Sequence, residues 1–281
     1  MPELPEVETI RRDLAGKISG KTILRLEIPY DPKGCRHLRR AGPDLPALLA
    51  GRTVTGVGRR AKYLLLYLDS GDILILHLGM SGQLLYRTRQ GGKPRHPRLV
   101  FHLEPDGILY FNDPRKFGEA YLYSPRRGWS EVDPFSLGLE PLNDEFTAAA
   151  LGRALAGKNS PIKALLLDQG LVAGLGNIYT DEALFRAAIH PLRPAGSLSR
   201  DEIRRLRREI RAVLRQAIRL HGTSAADRQY VDTEGELGRF QDRLRVYQRA
   251  GKPCSSCRTP IETVRVAGRT AHYCPSCQPE P

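Results

Sequence analysis

Four of the five cysteines stand near the end of the chain as two C-x2-C pairs, Cys254 with Cys257 and Cys274 with Cys277, and sixteen residues separate the pairs. Each pair lets one tight turn deliver two sulfurs, and four thiolates satisfy the tetrahedral preference of zinc. With all four positions taken by protein, no place is left for a water, so the expected ion is one structural Zn2+. The alternative, two disulfides, does not suit a reducing compartment. Gly268 lies near the middle of the intervening stretch among β-branched residues, as in a hairpin. Cys35 is outside the set and is read as a bystander.

If the metal is structural, the chemistry must come from elsewhere, and the N-terminus offers a second constellation. Removal of Met1 turns Pro2 into a secondary amine. An α-amino group has a pKa of about 7.7–8.0 and is substantially neutral at physiological pH, where a lysine would need burial to match it. Attack of such an amine on C1′ of a sugar leaves a necessarily cationic iminium, an electron sink that favours β-elimination of a neighbouring phosphate. Glu3 stands beside it as a proton carrier, with Glu6 one helical turn further on. Against this, Met-Pro is a common start, and a proline also suits the first turn of a helix.

The elements that must carry these residues fall into three stretches. Residues 2–16 place Val7, Ile10 and Leu14 at helical spacing, with Pro5, Glu6 and Glu8 suited to the positive end of that helix. From about 22 to 123 the text is β-like, with short runs at Lys62–Leu68, Asp72–Leu78, Gln83–Arg87, Arg98–Leu103, Ile108–Phe111 and Glu119–Tyr123. Connections this short favour antiparallel pairing, so a β-sandwich is expected. The pattern breaks at Asp133–Leu142 and then becomes helical, at Phe146–Leu155, Ile162–Leu167, Asn177–Ile189 and Arg200–Leu220. The last of these sets Ile203, Leu206, Ile210, Val213, Leu214 and Ile218 on one face and arginines elsewhere; the basic face reads as solvated before it reads as a DNA contact.

The whole is an α+β multidomain chain: an N-terminal β-sandwich over 1–132, a hinge at 133–142, a helical domain over 143–242 and a zinc-binding hairpin over 243–281. A formal charge of +13 on 281 residues points to a polyanionic partner, usually nucleic acid. Hydrophobic content of 41% with 27% charged residues excludes overall disorder, and no apolar run is long enough to cross a membrane. The acidic start MPELPEVETI lacks a signal-peptide pattern, so a cytoplasmic location is expected.

Further text makes a resemblance specific. MPELPEVETIRR at the start, RRAKYLLL at 59–66, HLGMSG at 77–82, NDPRKFG at 112–118, GLGNIYTDEALF at 174–185 and the four-Cys ribbon with Gly268-Arg269 occur in order along nearly the whole chain. The sequence resembles the formamidopyrimidine-DNA glycosylase family, whose close relatives are the endonuclease VIII group. The resemblance implies a helix–two-turn–helix motif in the helical domain and a bifunctional DNA glycosylase and AP lyase of base excision repair. Such an enzyme removes oxidised purines (8-oxoguanine, formamidopyrimidines) from duplex DNA, then cuts the strand by β,δ-elimination.

It also implies roles. Pro2 becomes the Schiff-base nucleophile and Glu3 the acid/base, with Glu6 in support. Lys62 contacts the lesion-site phosphate and donates a proton, and Arg269 grips phosphate and assists δ-elimination, which suits a forked guanidinium. Asn177, His77, His96 and Lys163 are expected to meet DNA, the first beside Gly174 and Gly176, which permit close backbone approach. Met80, Arg115 and Phe117 match the trio that fills the hole left by an extruded base, Arg115 facing the orphaned partner. Without the resemblance, Met80 and Phe117 would be read as core. Segment 221–230 is matched to a loop that covers the extruded base, with Thr223, Ser224 and Arg228 as equal candidates to read it, or a plain connector. Two departures stand out: Pro94-Arg95-His96 replaces a His-x-His pair, and Asn159 replaces a basic residue. The partner implied is double-stranded DNA bearing oxidised bases or abasic sites, bound by a bacterial, nucleoid-associated monomer with no obligate protein partner. The endonuclease VIII preference for oxidised pyrimidines is the nearest rival, weakened by Leu4 where that branch carries Gly; a non-catalytic nucleic-acid-binding protein is the rival of another class.

Overall fold

The computed structural model describes residues 1–29, 44–88, 90–125, 136–224 and 229–280, so Cys35, Arg228 and the first part of the expected hinge lie outside the described residues. Two compact units form. One joins Met1–Phe135 with Leu220–Gln241, and the other joins Ser136–Arg219 with Asp242–Pro281. Residues 220–241, read from sequence as part of the helical domain, thus cluster with the N-terminal unit, and the cysteine-rich end clusters with the helical one.

In the first unit, α1 (Leu4–Ile18) is followed by β1 (Thr22–Glu27), α2 (Leu45–Leu49) and the strands β2 (Arg52–Arg60), β3 (Tyr63–Leu68), β4 (Ile73–His77), β5 (Gln83–Arg87), β6 (Pro97–Glu104), β7 (Ile108–Asn112) and β8 (Glu119–Tyr123). The spatial order is β5-β7-β6-β1-β2-β3-β4-β8, antiparallel throughout. β1 and β2 meet only at Thr22↔Thr53 and Ile23↔Arg52, so the sheet is nearly two sheets. Side-chain parity shows how they face. Leu64, Leu66, Leu74 and Leu76 from one half share a core with Leu84, Leu99, Phe101, Leu109 and Phe111 from the other, and with Val7, Ile10, Leu14 and Ile18 of α1. Their sequence neighbours point outward and form two separate clusters, Leu65 with Ile75 and Tyr121, and Leu85 with Val100 and Tyr110. This is the expected sandwich, closed over the apolar face of α1.

β1 and β2 were not among the strands singled out from sequence. β2 (RTVTGVGRR) has no apolar run, and its two glycines weaken the strand signal. At Gly58 a Cβ would lie 2.7 Å from the Tyr67 hydroxyl, so a larger residue there would displace that exposed ring.

The second unit contains α3 (Ala148–Leu155), α4 (Ile162–Leu167), α5 (Asn177–Arg186), α6 (Arg200–Arg219) and the hairpin β9 (Glu262–Val266) and β10 (Arg269–Tyr273). α6 starts at a capping box, with the Ser199 N–H on Glu202 Oε2 at 2.7 Å and the Glu202 N–H on Ser199 Oγ at 3.2 Å. Leu206, Ile210, Val213, Leu214, Ala217 and Ile218 bury its apolar stripe, while Ile203 is only half-buried. Its basic face is only partly solvated. Arg205, Arg207 and Arg211 donate to the carbonyls of Ala187, Phe146 and Asn143, pinning loops of their own unit.

Candidate active site and nucleic-acid interface

Pro2 and Glu3 are buried behind an exposed Met1. Glu3 is the N-cap of α1, and its N–H donates to Glu6 Oε2 at 2.8 Å. The other Glu6 oxygen accepts the Thr223 N–H at 2.7 Å. A carboxylate at N3 complements the positive helix end, and here it also ties the chain start to the 220–241 segment. Thr223 and Ser224 are themselves buried. The Ser224 hydroxyl donates to the Tyr230 carbonyl at 2.7 Å and accepts the Gly238 N–H at 2.9 Å, so it is already committed within the protein.

One turn along α1, Glu8 accepts from Arg11, Arg12 and, across to β2, from Arg59 Nε at 3.0 Å. Burial pushes the Glu8 carboxyl up, but the three guanidinium partners outweigh it and hold its pKa at about 2. Arg59 also donates to the carbonyl of Ala61 at 2.9 Å, and Ala61 sits in the left-handed region at φ 51°. This pair of bonds fixes the turn that carries Lys62, which is buried. His77, at the end of β4, is half-buried beside the Tyr63 ring, with centroids 4.9 Å apart. His96 is exposed, its own N–H held by Asn112 Oδ1 at 2.9 Å.

Phe117 is not core: it is 46% exposed, and Arg115 lies over its ring at 5.3 Å. Met80 is half-buried on a turn packed backbone to backbone against that loop. Gly79, at φ +60°, permits the approach, since a Cβ there would lie 2.3 Å from the Phe117 carbonyl oxygen.

In the second unit, Asn177 opens α5. Its Nδ2 donates to the Thr270 carbonyl at 3.0 Å, and its Oδ1 is buried with no protein partner. The unpartnered Asn177 Oδ1 makes this helix start a polar spot. Arg269 is exposed just past a two-residue turn of Ala267 and Gly268, both at positive φ, and no protein group pairs with its guanidinium among the described residues.

Lys163 requires a correction. It is completely buried, its Nζ held by Asp181 Oδ1 at 2.5 Å and by the Thr270 carbonyl at 3.0 Å. A cation so enclosed joins α4 to α5 and β10 and has no surface to offer a phosphate. Asp181 in turn accepts the His272 N–H at 2.9 Å. Its neighbour Glu182, also buried, takes the N–H groups of Arg245, Val246 and Tyr247 at 2.9–3.0 Å. Burial raises the Glu182 carboxyl above the usual range, against the pull of those three amides. Sequence reading missed both acids, as it missed Arg59, Ser81, Arg98 and Asp113, and it read Glu8 only as a residue suited to the helix end. All lie within or beside the quoted motifs, but only their burial distinguishes them from surface charges.

The four sulfurs of Cys254, Cys257, Cys274 and Cys277 lie within 4.8 Å of one another, and none is in a disulfide. Separations of 3.9, 3.4 and 3.5 Å match the roughly 3.8 Å that tetrahedral Zn–S bonds of about 2.3 Å impose. The N–H groups of Ser256 and Cys277 point at the sulfurs of Cys254 and Cys274, as expected around thiolates. These residues fit a structural zinc.

Comparison with known proteins agrees along the length of the chain. Residues 1–120 match the family model described as the formamidopyrimidine-DNA glycosylase N-terminal domain, 137–229 the H2TH domain of the same enzymes, and 251–279 a zinc finger found in FPG and IleRS. The formamidopyrimidine-DNA glycosylase of Symbiobacterium thermophilum is 47% identical over 284 residues, covering 100% of this chain and 90% of that protein. Among solved structures, MutM from Thermus thermophilus superposes with a TM-score of 0.85 at 42% identity, covering all of both chains. The Lactococcus lactis Fpg in complex with an abasic-site DNA gives 0.86 at 36% identity, over 99% of this chain and 100% of that one.

Proposed function

The chain belongs to the formamidopyrimidine-DNA glycosylase family, and from that premise we propose a working cycle for its own residues. The protein is a DNA glycosylase of base excision repair, acting on oxidised purines in duplex DNA, with the AP lyase activity typical of the family. The observation that carries the cycle is the N-terminus, where Pro2 precedes a helix whose N-cap, Glu3, is held by the doubly bonded Glu6 carboxylate.

Once Met1 is removed, the Pro2 nitrogen attacks C1′ of the damaged nucleoside. The glycosidic bond breaks, the base leaves with a proton, and the iminium carries the positive charge. Glu3 moves the proton, held at the helix end by its own N–H. Loss of a proton from C2′ then expels the 3′ phosphate, and a second elimination expels the 5′ phosphate. Water then hydrolyses the iminium, freeing Pro2 and the sugar remnant, and a one-nucleotide gap with phosphate at both ends remains. Lys62, set by the Glu8–Arg59–Ala61 bonds, supplies a proton near the scissile phosphate. Arg269, exposed just past the hairpin turn, binds phosphate and assists the second elimination.

Met80, Arg115 and Phe117 fill the space left by the extruded base, a role supported by the exposure of Phe117. Asn177 and the start of α5 take a phosphate, while His77 and His96 add contacts from the first unit. Zn2+, held by the four cysteines, supplies no chemistry and keeps the hairpin folded. No helix among the described residues is long and apolar enough to cross a membrane. The cytoplasm, the nucleoid and a monomeric state complete the proposal.

Borohydride trapping tests it, on duplex DNA carrying one 8-oxoguanine opposite cytosine, followed by mass spectrometry of the linked peptide. A crosslink at Pro2, absent with undamaged duplex, is expected. A crosslink at a lysine would refute the assignment of the nucleophile.

A further inference from the structure

Between the Met80 turn and the Arg115–Phe117 loop lies a buried acid that the cycle above does not use. Asp113 is 1% exposed. Its Oδ1 accepts from the Ser81 hydroxyl at 2.6 Å and from the Arg115 N–H at 3.3 Å, and its Oδ2 accepts the Gly118 N–H at 2.7 Å. The Arg115 N–H is shared with Ser81 Oγ, also at 3.3 Å. Arg98, itself buried on β6, donates to the Asp113 carbonyl at 2.8 Å. One carboxylate therefore spans the residue after Met80 and both ends of the loop bearing Arg115 and Phe117.

The strands beneath do not need this bridge. β5 pairs with β7 from Gln83↔Asn112 to Arg87↔Ile108, and β4 pairs with β8 from Ile73↔Tyr123 to His77↔Glu119. What the carboxylate adds is a fixed relation between the two protruding tips, reinforced where Gly79 lies against the Phe117 backbone. Burying a polar group for that purpose is costly unless it is hydrogen-bonded, and here both oxygens are.

We propose that Asp113 is a positioning residue that locks the Met80 turn and the Arg115–Phe117 loop into one rigid wedge. The inference rests on the reading that these three side chains fill the space of the extruded base. Unstacking a base costs a few kcal/mol, and tips that moved independently would each lose order on entering the duplex. A pre-joined wedge enters as a unit, and Arg115 meets the opposite base as the lesion leaves. At an existing abasic site there is no base to extrude, so the bridge matters less.

The test uses the full-length enzyme with Met1 removed and compares Asp113→Asn, Ser81→Ala and Phe117→Ala. Asparagine keeps the volume but turns one acceptor into a donor that must face the Gly118 N–H or the Ser81–Arg115 side. Three rates are read in single turnover: excision of 8-oxoguanine opposite cytosine, excision opposite adenine, and cleavage of duplex with a preformed abasic site. Asp113→Asn is expected to slow excision opposite cytosine by about 10–100-fold, as a misplaced supporting group does. It should also shrink the ratio of the rate opposite cytosine to the rate opposite adenine by roughly threefold or more, with abasic-site cleavage changed by less than about threefold. Ser81→Ala should move the same two quantities in the same direction by less, and it covers the case in which Asp113→Asn fails to fold.

Parallel loss of all three rates, an unchanged base preference or unchanged excision would each overturn the wedge. Phe117→Ala separates the layers. If it excises at the unsubstituted rate, the space-filling reading itself falls; if it is slow while Asp113→Asn and Ser81→Ala are not, only the wedge falls.

Discussion

The sandwich unit and the cysteine hairpin hold their proposed functional side chains in place by opposite means. The first has a core of two dozen buried side chains and orients its tips with carboxylates: Glu6 for the chain start, Glu8 for the Lys62 turn and Asp113 for the Met80 and Phe117 tips. Around the hairpin, among the described residues, a small cluster joins Phe185, Val246, Cys254, Ile261 and Cys274, with Cys277 against it. So small a core cannot offset the entropy of ordering the segment, and a metal must close it. Where apolar burial is ample, polar groups are free to position; where it is scarce, they must first hold the chain together.

The largest expected effect breaks that contrast at its weak side. Cys274→Ser, or removal of zinc by a chelator, should unfold the hairpin and lower strand cleavage by about 100-fold or more, because metal-binding energy is folding energy there. Far-UV circular dichroism of the treated full chain should keep the strand signal of the sandwich. Loss of that signal would show that the first unit also depends on the metal.

Next comes the buried pair of Lys163 and Asp181. Lys163→Met leaves Asp181 without its cation and should destabilise the protein by about 3–5 kcal/mol in denaturant unfolding. The salt dependence of DNA binding, measured where the variant is still folded, should keep its slope. A slope lower by about one would restore Lys163 as a phosphate contact.

Glu8 gives a smaller effect, with a definite sign. Its folded pKa of about 2 is depressed from the ordinary 4.5. The stability it contributes is therefore fully present above pH 4.5 and is lost as pH falls toward 2. Because solvent screens part of the cluster, about 1–2 kcal/mol is a reasonable size. Glu8→Gln should flatten the acid limb of the stability–pH curve over that interval; an unchanged limb would place the acid sensitivity elsewhere.

The smallest effect sharpens the contrast. Arg59→Lys keeps the charge but loses the fork that joins Glu8 to the Ala61 carbonyl, and should slow abasic-site cleavage by about threefold to tenfold with little change in DNA affinity. Equal loss of affinity would mean that Arg59 acts through binding and not through the placement of Lys62.

Much of this was legible in the sequence because it depends on local spacing. The cysteine pairs, the alternating strands from β3 to β8 and the apolar stripe of α6 each declare themselves within about ten residues. What stayed hidden depends on partners far away in the chain. Glu8 and Arg59, or Ser81 and Asp113, are separated by 51 and 32 residues, and a charged residue in a motif looks the same whether it faces water or a buried guanidinium. Lys163 shows the cost: its type suggested phosphate, and its burial assigns it to Asp181. Phe117 runs the other way: by residue type alone an aromatic is ordinarily core, the resemblance put it in the space-filling trio, and it lies exposed on a tip.

That tip has a colloidal consequence. An aromatic ring kept permanently in water is a seed for self-association, and two such rings from neighbouring molecules would stack readily. Arg115, 5.3 Å above the Phe117 ring, covers the face with a charge that repels its own copy on another molecule.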